Sequence, residues 1–216
     1  MSLTSQSRLV GRRAAIMSLA LGGLVAAGGV PTLAAPKVGA SAPEFSAVDS
    51  NGRTVKLSDY RGKVVVLEWT NDGCPYVGKH YGTGNMQKLQ AEAAAKGVVW
   101  LSVISSAPGT QGYVKGLEAN KLTEDRKANP TAVLLDPKGT VGRLYDARTT
   151  PHMYIVDKAG MLAYAGAIDD KPSANHATIN GARNYVREAL DAVLAGKPVS
   201  MTSTRPYGCS VKYQGS

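Results

Sequence analysis

The stretch Lys63–Val77 reads KVVVLEWTNDGCPYV, and the rest of the chain arranges itself around it. Val64, Val65, Val66 and Leu67 form an unbroken apolar block, as expected of a strand covered on both faces. Asn71, Asp72 and Gly73 end the strand and supply turn and capping side chains. Pro75 suits the first turn of a helix, where its missing N–H has no intrahelical partner to lose. Cys74 therefore falls at a helix N-terminus, where free N–H groups and the helix dipole favour a thiolate. The pattern is strand, short turn, reactive thiol, helix.

Upstream, Ser46–Val48 and Thr54–Leu57 flank Asp49-Ser50-Asn51-Gly52, a strong hairpin turn. Downstream, Gly82 and Gly84 predict that the helix after Cys74 breaks there. A second helix then starts at a capping Asn85 and runs to Lys96, with Met86, Leu89 and Ala93 on one face and Gly97 as its stop. Val98–Ile104 and Ala132–Leu135 read as strands. Between them a helix is predicted over Gln111–Glu124, carrying Tyr113, Leu117 and Leu122. A short helix over Lys138–Tyr145 precedes Thr149-Thr150-Pro151. The strands His152–Val156 and Leu162–Ala167 then pair antiparallel, and an amphipathic helix spans Ile179–Leu194. Strands alternating with helices and ending in a hairpin predict an α/β fold. Its central sheet is mixed and mostly parallel, with helices on both faces and an N-terminal β-hairpin extension.

The 216 residues carry 25 basic and 16 acidic side chains, a formal charge of +9. Arg8, Arg12 and Arg13 belong to the first 34 residues, which hold no acid, so the remainder carries +6. Its bases are scattered, with no long Lys/Arg run and no interleaved aromatics. They read as a solvated surface, and nucleic acid is not an expected partner. Residues 1–34 resemble an export signal. Arg12-Arg13 precede a charge-free stretch from Ala14 to Val30, and Thr32 and Ala34 offer a small-residue cleavage site. The glycines at 22, 23, 28 and 29 argue against a permanent membrane helix, and the paired arginines raise the twin-arginine route. The expected mature protein is periplasmic or secreted and has no stable membrane span. Its domain covers 35–196, and residues 197–216 form a polar tail carrying the second cysteine. Cys74 and Cys209 are the only cysteines and make no CxxC pair. A bridge between them would close a loop of roughly 135 residues, worth about 5 kcal/mol at most. It would stabilise whether or not it turned over.

The chain also resembles a known family. Ala42-Pro43-x-Phe45, Gly52, Leu57-Ser58-Asp59, Gly62–Leu67, Trp69, Cys74-Pro75 and Thr150-Pro151 before a strand ending in Asp157 are similar to redoxins. These form the alkyl hydroperoxide reductase and thiol-specific antioxidant branch of the thioredoxin superfamily. The resemblance covers about residues 38–170 and implies a thioredoxin-like fold and a thiol-dependent oxidoreductase, with no cofactor and no metal. It makes Cys74 the nucleophile and Pro151 a cis-proline that faces it, so that Thr150, Pro151 and His152 become candidate substrate-docking residues. Glu68 stands six residues before Cys74, where thioredoxins keep a buried aspartate that relays protons. Burial would raise its pKa and suit it to that task.

Departures from the family pattern bear on the reaction. The proline and threonine that peroxidases place before their cysteine correspond to Leu67 and Asn71, and their arginine to Pro151. The second thioredoxin cysteine corresponds to Val77, which leaves Cys209 as candidate resolving thiol. Arg205-Pro206-Tyr207-Gly208-Cys209 resembles the tail of a peroxiredoxin-like redoxin group. A working redox pair, a permanent structural bridge and two separate thiols remain open. The expected activity is disulfide exchange with protein thiols or disulfides, served by an unidentified electron donor. The alternatives are reduction of a small peroxide, or a non-enzymatic binding module on the same fold. His152 is a candidate to lower the pKa of Cys74, against the plainer reading of a structural histidine. A metal site from Cys74, His80 and His152 fits no ligand spacing. Tyr76, Tyr81, Tyr207 and Tyr213 suit either a docking surface or ordinary packing.

Overall fold

In the computed structural model the described residues are 1–3 and 35–215, so the export-signal reading of 1–34 falls almost wholly outside them. The central strand is β3 (Val65–Trp69), buried at every position. It lies parallel to β4 (Val99–Ile104), which lies parallel to β5 (Ala132–Leu135). On the other side β3 pairs antiparallel with β7 (His152–Val156), and β7 with β8 (Leu162–Gly166). The hairpin of β1 (Ser46–Asp49) and β2 (Thr54–Lys56) joins the far edge through an antiparallel β1–β5 pairing. The order is β2-β1-β5-β4-β3-β7-β8, a mixed sheet as expected but not a mostly parallel one: only its three central strands run parallel, because hairpins extend it antiparallel at both edges. The hairpin turn is built as its sequence suggests. Asp49 accepts from the amides of Asn51 and Arg53, and Gly52 takes a positive φ of 79°.

Strand alternation divides the apolar residues between two clusters. Val65, Leu67 and Trp69 face one with Phe45, Tyr145, Tyr154 and Val156. Val64 and Val66 face the other with Cys74, Val77, Met86, Trp100, Met153 and Ile155. The second is covered by α1 (Pro75–Gly82), α2 (Asn85–Ala95) and α5 (Tyr185–Leu194). The first receives α4 (Thr140–Leu144), and α3 (Gly116–Asp125) lies over β4 and β5 through Ala119.

Several helix boundaries differ from the sequence reading. Asn85 does not cap α2. The cap position is Gly84, in the left-handed region, and the Asn85 side chain turns instead to His80. α3 begins at Gly116 rather than Gln111, and Leu117, expected inside, is 84% exposed. α5 starts at Tyr185, behind Asn184, whose side chain accepts from the Arg187 amide. The preceding His176–Ile179 is a single 3-10 turn. The tail is not loose. β9 (Cys209–Ser210) pairs antiparallel with β6 (Thr149–Thr150), and Val211 is buried in the first cluster. Among the described residues no helix is long and apolar enough to cross a membrane.

Candidate active site

Cys74 occupies the N-cap position of α1 and is only 1% exposed. The turn before it is fixed by Asn71, whose side-chain oxygen accepts from the Gly73 amide and whose carbonyl accepts from the Cys74 amide. Pro75 then opens the helix, and the Cys74 carbonyl takes the first helical bond, from Gly78. The Thr150–Pro151 bond is cis, and the Cys74 thiol donates to the Thr150 carbonyl at 3.0 Å. Cys209 lies opposite Thr150 in the β6–β9 pair, so the backbone carbonyl that receives the Cys74 thiol belongs to the residue facing Cys209. Both sulfurs are free thiols, and each side chain influences the titration of the other.

The two thiols are electrostatically unequal. Burial pushes the Cys74 thiol up. The polar surroundings supplied by Cys209, Thr150 and the start of α1 at Val77 outweigh it, leaving Cys74 below the ordinary thiol range. Burial pushes Cys209 up, and its donation to Cys74 adds to this, bringing it to about 11. Cys209 is the more exposed sulfur. One thiol is buried and the more acidic, its neighbour half-buried and the less acidic.

Glu68 is fully buried on the face of β3 that meets α1 and α2. It accepts from Trp100 Nε1 at 2.8 Å, Tyr81 Oη at 2.8 Å, Ser102 Oγ at 3.0 Å and, at longer range, Gln90 Nε2. Desolvation prevails over these donors, and its pKa is raised. Tyr81 connects it to the Cys74 helix; among the described residues Cys74 itself is not one of its partners. His152 is on the other face of the sheet. Its Nδ1 meets the Tyr154 hydroxyl at 3.1 Å and the Arg148 amide at 3.3 Å. Burial lowers its pKa to about 3, so it is neutral and offers no positive charge to Cys74. The structure thus brings Cys74, Cys209, Thr150 and Pro151 together, places Glu68 behind them, and turns His152 away.

Asn71, at the position of the peroxidase threonine, is fully engaged. Besides the Gly73 bond, its Nδ2 donates to the Gln111 carbonyl at 3.1 Å. His80, weighed as a ligand, is buried with Nε2 on Tyr207 Oη at 3.2 Å and Nδ1 on Asn85 at 2.8 Å. Among the described residues no three His, Cys, Asp or Glu side chains are grouped to hold a metal.

One set of residues beside the thiols was not legible in the sequence. Lys79, with no side-chain exposure, meets Asp169 at 3.3 Å, and both contact Tyr207. A lysine between glycine and histidine in a short helix gives no sign of burial, and Asp169 lies 90 residues away. Beyond Gly208 an open groove of about 590 Å³ runs along Thr149, Asp170, Pro172, Tyr185 and Arg205.

Residues 38–165 match the AhpC/TSA family. A thiol-disulfide oxidoreductase named ResA, from Geobacillus kaustophilus, is 27% identical over 167 residues, covering 73% of this chain and 86% of that protein. Among solved structures, an uncharacterized conserved protein from the same organism superposes with a TM-score of 0.73 at 27% identity, covering 83% of this chain and 94% of its own. A hypothetical protein from Sinorhizobium meliloti 1021 does so at 0.71 and 21% identity, over 85% and 98%. The second likeness speaks for the fold alone. With the family matched over more than half its length, on a thioredoxin-like fold with a cysteine at the N-terminus of α1, the chain belongs to the AhpC/TSA family of redoxins.

Proposed function

We propose that the protein is a thiol-disulfide oxidoreductase in which Cys74 is the nucleophile and Cys209 its resolving partner. The observation that carries this reading is that the β6–β9 ladder sets Cys209 opposite Thr150, whose carbonyl accepts from the Cys74 thiol at 3.0 Å. The Cys74 thiolate attacks a substrate disulfide, forming a mixed disulfide and expelling one substrate sulfur as a thiolate. Cys209 gives up its proton and attacks Cys74, closing the Cys74–Cys209 bridge and releasing the second substrate thiol. Two electrons have then passed to the substrate, and a donor dithiol restores the pair. That donor meets Cys209, the less buried sulfur, and displaces Cys74, whose lower pKa makes it the better leaving group.

Glu68 is the proposed proton store for these transfers, supported by its raised pKa and its link through Tyr81 to the Cys74 helix. Thr150 and Pro151 form the proposed docking edge, and the groove beyond Gly208 gives room for a protein segment. His152 serves that edge only indirectly, from the opposite face of the sheet through Tyr154 and the Arg148 amide. Disulfide exchange is favoured over peroxide reduction because Asn71 is occupied in building the turn rather than presenting a free hydroxyl. The site of action is proposed to lie outside the cytoplasm, on the strength of Arg12-Arg13 and the charge-free stretch after them.

The test is the reduction potential of the pair, from glutathione buffers with the bridge mapped by mass spectrometry. A Cys74–Cys209 bridge that forms between roughly −120 and −270 mV supports an exchange catalyst. One that survives below about −300 mV is structural, and the reading is then wrong. Rapid loss of the Cys74 thiol to stoichiometric hydrogen peroxide would favour a peroxidase instead.

A further inference from the structure

The reactive helix holds the tail at a second point. Tyr207 stands two residues before Cys209, and its hydroxyl enters a buried polar cluster formed around the C-terminal half of α1. Lys79 spends all three ammonium donors there: on Tyr207 Oη at 3.0 Å, the Lys171 carbonyl at 2.9 Å and Asp169 Oδ2 at 3.3 Å. The Tyr207 hydroxyl donates to Asp169 Oδ1. His80 faces the Tyr207 hydroxyl oxygen with Nε2 at 3.2 Å, while its Nδ1 meets the Asn85 side-chain amide at 2.8 Å. A neutral ring with the proton on Nε2 satisfies both contacts, since Nδ1 then accepts from Asn85 and Nε2 donates to Tyr207. Every donor and acceptor around the Tyr207 hydroxyl is then matched. The ring itself rests edge-on against Tyr76, one residue from Pro75, with centroids 5.9 Å apart.

Burying a lysine and an aspartate is costly, and apolar residues of the same volume would hold a tail at least as firmly. What the cluster adds is direction, because a hydroxyl with one donor and two acceptor roles filled has a single resting place. We infer that Lys79, Asp169 and His80 are positioning residues that clamp Tyr207 to the Cys74 helix and thereby set Cys209 within reach of Cys74. Thiol and clamp share one helix, and two residues span at most about 7 Å. The Tyr207 hydroxyl and the Cys74 sulfur thus act as two fixed points between which Gly208 and Cys209 are strung. This inference rests on the proposed Cys74–Cys209 couple and specifies what makes it intramolecularly efficient.

The experiment compares the glutathione equilibrium of the full chain with that of Tyr207→Phe, which keeps the ring and removes the hydroxyl. The expected result is an at least tenfold fall in the equilibrium constant for bridge formation, a rise of about 30 mV in potential. Val55→Ala, a buried truncation on the distant β2 edge, controls for lost stability and leaves the potential unchanged. A folded Tyr207→Phe with the parent potential overturns the clamp, as does an equal shift in Val55→Ala. If Tyr207→Phe does not fold, His80→Gln takes its place and moves the potential the same way by a smaller step; no movement overturns the clamp. A parent chain with no couple at any poise refutes the exchange reading, and the clamp falls with it. A normal parent couple that ignores Tyr207 refutes the clamp alone.

Discussion

In the proposed redox pair, Cys74 and Cys209 divide the work by position. The acidity of Cys74 comes in part from its neighbour's S–H, so the two titrations are linked. Cys209→Ala removes that donor and raises the pH midpoint of Cys74 alkylation, whereas Cys209→Ser, whose hydroxyl can donate, keeps it closer to the parent value. Equal midpoints in all three proteins would show that Cys209 does not tune Cys74. Glu68→Gln preserves most of the side-chain volume and removes the exchangeable proton. It slows resolution of the mixed disulfide by about 10²-fold, the lower end of general acid–base effects. Stopped-flow release of a chromogenic thiol from Cys74 reads this directly, and an unchanged rate removes Glu68 from the mechanism. The position of Cys74 was legible because turn residues and Pro75 surround it locally. The partners of Glu68 were not, since Tyr81, Gln90, Trp100 and Ser102 come from three other elements.

The decisive element is β9, which with β6 is one of the two shortest. Gly208 has φ 138°, and a Cβ there would overlap the Thr150 carbonyl oxygen, which is backbone and cannot swing aside. Gly208→Ala therefore drives β9 away from β6 at a cost of roughly 1–3 kcal/mol. The expected outcome is loss of rapid bridge formation together with faster proteolysis after residue 205, while far-UV circular dichroism is retained. A variant that closes the bridge at the parent rate would show that the β6–β9 ladder does not guide Cys209. Strands that are mostly apolar, such as β3 and β4, were readable from the sequence because burial on both faces leaves a compositional mark. A two-residue strand leaves none. The tail reads as polar, yet its pairing partner lies some 60 residues earlier in the chain. The first turn of the expected last helix likewise gave way to Asn184, whose capping side chain fixes a later start.

At the scale of the whole molecule, two buried histidines set the response to acid. His80 and His152 both titrate near 3, against an ordinary value of 6.5, because burial disfavours their charged form. Between those values the unfolded chain binds more protons than the folded one, so stability is present above about pH 6.5 and drains away as the pH falls toward 3. At pH 5 each ring accounts for a loss of about 2 kcal/mol. Glu68, raised by burial, opposes this with one group against two. The urea midpoint is therefore expected to fall from pH 7 to pH 5, and a flat or rising midpoint would contradict the assignment of both rings as neutral. The α/β architecture was legible because its strands and helices repeat along the chain. The clamp was not, since it joins Lys79, Asp169 and Tyr207 across more than half of the domain. The distance in sequence between the two sulfurs has a consequence for the chain as it is made. Synthesis is vectorial, so β3, α1 and Cys74 emerge long before Cys209 exists. Until the final strand is delivered, the nascent protein carries an unguarded thiol that any passing disulfide can capture. Closure of the proposed Cys74–Cys209 pair would thus also report that β9 has been made and has found β6.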